Sequence, residues 1–121
     1  MLLQVFEIPG RLPGYNELNS GHWATRYAIK QRAVSDVYYC IKDARIQPVG
    51  RAVVYIRCYE GTRRRDVDNV QSGASKVVLD ALVTARVLKN DSRRYVKDVI
   101  AMVEIAKEPR VEVVIEEVEI A

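Results

Sequence analysis

Asn69-Val70-Gln71-Ser72-Gly73-Ala74-Ser75-Lys76-Val77-Val78-Leu79-Asp80-Ala81-Leu82-Val83-Thr84-Ala85 carries its apolar residues at helical spacing. Turned by about 100° per residue, Val70, Ala74, Val77, Val78, Ala81 and Ala85 fall on one stripe. Asn69, Lys76 and Asp80 fall together on a second stripe, within roughly 40° of one another. The segment therefore predicts a helix that buries one face and presents a polar row on another. Upstream, Ala52 to Tyr59 is β-branched and aromatic and reads as a strand. Downstream, Val96 to Ile105 and Arg110 to Ile120 read as two more, parted by a turn at Lys107-Glu108-Pro109.

Working towards the N-terminus, a first helix is predicted from about Gly21 to Ala44, with Trp23, Tyr27, Val34, Val37, Tyr38 and Ile41 at helical spacing. Pro48 and Gly50 close it. Leu2 to Ile8 reads as the first strand, and Pro9 to Asn16 as a turn-rich loop, because two prolines and two glycines sustain neither helix nor ladder. The order β-α-β-α-β-β predicts an α+β fold, two helices packed on one face of a mixed or antiparallel sheet. Trp23, Tyr55 and Tyr59 are expected in the core and His22 at a helix cap. Arg26 and Lys30 are expected in solvent, and Cys40 and Cys58 buried and inert.

With 121 residues, the chain is expected to form a single domain over 1–121. Its 49% hydrophobic and 29% charged residues are those of a globular protein. No apolar run approaches the roughly 18–20 residues of a bilayer span, and the N-terminal residues do not resemble a signal peptide. Two cysteines are too few for a disulfide scaffold, so a cytoplasmic protein is expected. A single histidine, His22, argues against His-rich zinc sites and Ser-His-Asp catalysis. The net charge of +3 permits a polyanionic partner without establishing one.

Arg63-Arg64-Arg65-Asp66-Val67-Asp68-Asn69 bridges the second strand and second helix, and Asp91 follows that helix in Lys89-Asn90-Asp91-Ser92. Asp66 and Asp68 stand two apart, and Asp91 could fold back towards them. Two carboxylates ~5 Å apart in an effective dielectric of ~20 repel by about 3 kcal/mol, so a positive charge must hold such a cluster. With little histidine available, a hard divalent cation, Mg²⁺ or Mn²⁺, suits it, and such an ion can polarise a phosphodiester. Arg63, Arg64 and Arg65 before the first acidic loop, and Arg93, Arg94 and Lys97 after the second, would bracket the site with phosphate-binding charge. The tail acids Glu112, Glu116, Glu117 and Glu119 are expected to face elsewhere. Local structure offers an alternative: Asp68 as an N-cap with Gln71, Asp66 paired with Arg64 or Arg65, Lys76 with Asp80, and Asp91 in a turn.

The runs Arg64-Arg65-Asp66-Val67-Asp68-Asn69, Lys76-Val77-Val78-Leu79-Asp80-Ala81-Leu82 and Asn90-Asp91-Ser92, with Pro13-Gly14-Tyr15-Asn16 upstream, resemble the RusA family of Holliday-junction resolvases. The resemblance spans about Ile8 to Val96. It implies a homodimeric endonuclease that binds branched DNA and resolves four-way junctions by paired, symmetric, metal-dependent nicks in recombination and repair. It implies Asp66, Asp68 and Asp91 as catalytic metal ligands, Lys76 as a catalytic lysine, Asn69 among the DNA-binding residues, and Asp80 and Asn90 as supporting residues around the ligands. A membrane or a small-molecule cofactor has no place in that scheme. Two departures stand out: about one extra helical turn separates Asn69 from Lys76, and Asn90 stands where many members carry aspartate. Flaps, forks or RNA as substrate, or a non-catalytic DNA-binding module, are the alternatives. Arg110 to Ile120, read as an edge strand, would support dimerisation.

Overall fold

A computed structural model describes residues 2–120. Its elements are β1 (Leu3–Pro9), α1 (Tyr15–Asn19), α2 (Trp23–Asp43), β2 (Ala52–Glu60), α3 (Val67–Thr84), β3 (Val96–Ile105) and β4 (Arg110–Glu117). The fold is α+β, as expected, with a mixed four-stranded sheet in the order β1-β4-β2-β3. β4 runs antiparallel to both β1 and β2, and β3 runs parallel to β2. Two parallel neighbours cannot be joined by a tight turn, so the chain crosses over through α3. That crossover fixes the site's geography: α3 starts beyond the C-terminal end of β2 and ends near the start of β3.

Alternate residues of the strands point to the helical layer and are buried: Phe6 and Ile8 in β1, Val54, Ile56 and Cys58 in β2, Val111, Val113 and Ile115 in β4. They meet Val34, Val37 and Ile41 of α2 and the predicted apolar stripe of α3, from Val70 through Ala81. Each such aliphatic side chain contributes about 1.5–3 kcal/mol by leaving water. The opposite face of the sheet carries no helix. On it Val5 is 60% exposed, Tyr55 donates to Glu116 at 3.1 Å, and the Arg110 guanidinium lies 3.9 Å from the Tyr59 ring centroid. Glu112 and Glu116 also alternate onto this face, away from α3, while Glu117 accepts from the backbone N–H groups of Leu2 and Gly50.

Several expectations are corrected. The turn-rich loop ends in a five-residue helix, α1, because the Glu17 carboxylate reaches back to the Gly14 N–H at 3.3 Å. β4 lies inside the sheet and not at its edge, because β1 pairs along its outer side. Tyr55 and Tyr59 sit half-buried on the helix-free face, and Trp23 is 66% exposed. The buried residues of α2 all lie from Ala33 onward, so its first turns overhang the core. His22 does cap α2, accepting from the Ala24 N–H at 3.2 Å. Cys58 is buried, and burial pushes its thiol up to about 11; Cys40 is only half-buried. Among the described residues no helix is long and apolar enough to cross a membrane.

Candidate active site

β2 ends on Glu60, a carboxylate only 4% exposed. A buried charge must be paired, and Arg65 pairs it. The guanidinium forks onto both Glu60 oxygens at 2.8 Å, and its third nitrogen donates to the Leu12 carbonyl at 2.9 Å and to Glu17 at 3.1 Å. Burial alone would lower the Arg65 pKa, but the Glu60 and Glu17 carboxylates outweigh it and hold it above its ordinary value. Arg65 was expected to hold DNA phosphate. It is committed instead to the protein's interior, where it closes the turn from β2 into α3. Neither Glu60 nor Glu17 was singled out from sequence, although an acid ending an apolar strand is a signal that it needs a partner.

Asp66 follows at the N-cap of α3, in extended conformation, with its carboxylate making no capping hydrogen bond. Asp68, the cap in the alternative reading, lies two residues further on, within the first turn, where it accepts from the Asn69 N–H at 2.9 Å; Gln71 turns away to donate to the Ala101 carbonyl. Both aspartates are exposed, and neither forms an ion pair among the described residues. Their negative charge suits the positive end of the helix dipole. Arg63 and Arg64 are exposed just upstream and likewise make no ion pair among the described residues. Two oxygen-donor carboxylates flanked by two unengaged arginines can hold a hard cation and the phosphate it attracts.

The polar row of α3 is largely a seam. Asn69 accepts from the Asn16 N–H at 2.8 Å and lies against Gly14, so its side chain fixes the loop into α1. Gly73, on the same face, leaves room for the Pro13 carbonyl and for Gly14; a Cβ there would come within 2.6 Å of the Gly14 Cα. Asp80 bridges Lys30 at 2.9 Å and Lys76 at 3.3 Å, tying α2 to α3. Lys30, expected in solvent, is thus ion-paired. Lys76 points towards Asp80 and sits about 12 Å further along the axis than Asp68.

Asp91 lies at the other end. With Asn90 it lines a cleft of about 260 Å³ together with Gln31, Asp80 and Thr84. Asp80 alone is about 18 Å along the helix from Asp68, so Asp91 does not join Asp66 and Asp68 within one chain. Among the described residues, no three His, Cys, Asp or Glu side chains come together to hold a metal ion. Asn90 accepts from the Ser92 N–H at 2.9 Å and shapes the turn that presents Asp91. Arg93, Arg94 and Lys97 are exposed beside it, with Arg94 5.7 Å from the Tyr95 ring centroid. Each acidic position therefore has its own basic neighbours, and the expected single bracket becomes two clusters of acidic and basic residues at opposite ends of α3.

No curated protein matches the chain. Residues 24–116, which take in α2, β2, α3, β3 and nearly all of β4, match the family of endodeoxyribonuclease RusA. With both clusters inside that match, the chain belongs to the RusA family of endodeoxyribonucleases.

Proposed function

We propose that the chain, as one domain over 1–121, is a divalent-cation-dependent nuclease that resolves four-way DNA junctions by paired symmetric nicks, as a homodimer in the cytoplasm. The family supplies the nuclease class and the branched substrate. The observation that carries the site is the state of Asp66 and Asp68: both exposed, Asp66 making no capping hydrogen bond, and neither with a cationic partner among the described residues, while Arg65 beside them is turned to Glu60. Carboxylates in that state fit a hard cation such as Mg²⁺ or Mn²⁺. When bound, the cation neutralises charge developing on phosphorus and acidifies its water.

Asp66 and Asp68 would supply one side of the cation's oxygen shell. The third carboxylate is proposed to be the partner subunit's Asp91, because a two-fold axis that reverses α3 carries the far end of one copy to the near end of the other. The same operation brings the partner's Arg93, Arg94 and Lys97 alongside Arg63 and Arg64, restoring one basic bracket around each site. Lys76, its ammonium held by Asp80, is left to meet the strand about two turns further along α3. Asn69 and Asn90 act through the backbone they fix. Two such sites related by symmetry suit a substrate that is itself close to two-fold.

The test is a labelled four-way junction incubated with and without Mg²⁺, beside matched flaps, forks and RNA. Paired nicks on the junction are expected only with the cation. Asp66→Asn and Asp68→Asn are each expected to drop nicking to background while junction binding is kept or strengthened, since negative charge is removed. Nicking by Asp66→Asn at the wild-type rate would sink the site assignment, and preference for a flap or RNA would move the substrate.

A further inference from the structure

The overhanging start of α2 leaves aromatic surface in water. Trp23 is 66% and Tyr27 62% exposed, and Tyr15 at the start of α1 is 53% exposed. Trp23 and Tyr27 lie within roughly 60° of Lys30 and Val34 on the helical wheel. This is the side of α2 that meets α3, since Lys30 pairs with Asp80. Where α3 would have covered the first two turns, a cleft of about 380 Å³ opens instead, lined by Tyr15, Leu18, Asn19, Lys30, Ser72 and Lys76. That volume is in the range of small-molecule pockets. Lys30 and Lys76 share the single carboxylate of Asp80, which leaves the cleft one net positive charge. Ser72 stands four residues after Asp68, hence beside it on the surface of α3.

Rings, a positive charge and an adjoining acidic half-site suit a nucleotide better than a peptide or a lipid. A duplex cannot offer it, because paired bases are already stacked on their neighbours. A branch point can. Resting on the nuclease reading above and deepening it, we propose that this cleft receives an unpaired nucleobase of the DNA, stacked on the Tyr15 ring that lines it, with its phosphate turned to Lys30 and Lys76. The cleft then selects frayed or branched DNA over continuous duplex.

Trp23 is the chain's sole tryptophan and lies on the same side of α2 as Lys30, so its emission reports DNA seated on that side. The full-length Asp66→Asn protein is titrated with a four-way junction and with linear duplex of the same sequence. Junction is expected to quench Trp23 and duplex to leave it nearly unchanged. Adding Tyr15→Ala is expected to weaken junction binding by about tenfold, the usual loss for one stacked base, with duplex binding unaltered; Tyr15→Phe keeps a ring and should bind as the parent does. Equal Trp23 response to junction and duplex, or Tyr15→Ala binding junction as tightly as the parent, overturns the cleft assignment. If wild-type protein nicks the same junction in Mg²⁺ under that outcome, the nuclease reading survives. Absence of any DNA binding overturns both, and quenching by a peptide or vesicle instead assigns the surface to another partner.

Discussion

Arg65 engages four acceptor atoms on three segments, and that makes it the most constrained side chain near the site. Arg65→Ala would strand Glu60 in the interior without its charge partner, a loss of about 3–5 kcal/mol. Urea denaturation is expected to show it. At 30 °C, nicking is expected to fall with the folded fraction; a variant as stable as wild type would mean that Glu60 is not held by this fork. At this scale the sequence separated Asp66 and Asp68 from their surroundings but misassigned Arg65. Three consecutive arginines are equivalent on paper. Only the position of the buried Glu60, five residues back, distinguishes the last from the other two. His22 was legible because capping is a local contact.

The helix α3 carries the acids at its start, the core on one face and a seam on another. The seam depends on Gly73, where the backbone of Pro13 and Gly14 passes too closely for any side chain. Gly73→Ala improves helix propensity by roughly 1 kcal/mol, yet it must push that backbone aside, and overpacking typically costs about 1–3 kcal/mol. A lower melting temperature is expected, with loss of hydrogen-exchange protection confined to α1 and its loop; a higher one would show that the loop does not dock as described. Periodicity alone located α3 and both of its stripes. Whether a polar row meets water or a neighbouring backbone depends on contacts distant in sequence, such as Asn69 with Asn16. The same limit hid α1 and left Trp23 read as core, since helical spacing identifies a face but not what covers it.

Across the whole molecule, the parallel β2–β3 pair governs where chemistry can occur. Sequence order let Asp91 fold back on Asp66; the crossover instead spends the length of α3 between them, which no local pattern reveals. The proposed pairing makes a sharp prediction about mixed dimers. An Asp66→Asn subunit joined to an Asp91→Asn subunit has one site carrying both lesions and one carrying neither. Mixing the two inactive proteins is therefore expected to restore nicking on one strand of the junction, up to about half the wild-type rate for each mixed dimer. If all three carboxylates acted within one subunit, both sites would stay damaged and the mixture inert. The sheet face that carries Glu112 and Glu116 faces away from α3 and from both proposed halves of the site.

The separation of Asp91 from Asp66 also bears on dosage. On the proposed pairing, a solitary copy would own two incomplete halves and cut nothing, so turnover per chain should climb with concentration until every molecule is coupled. Scarcity would then work as a safety catch, keeping stray single copies harmless to the genome they encounter.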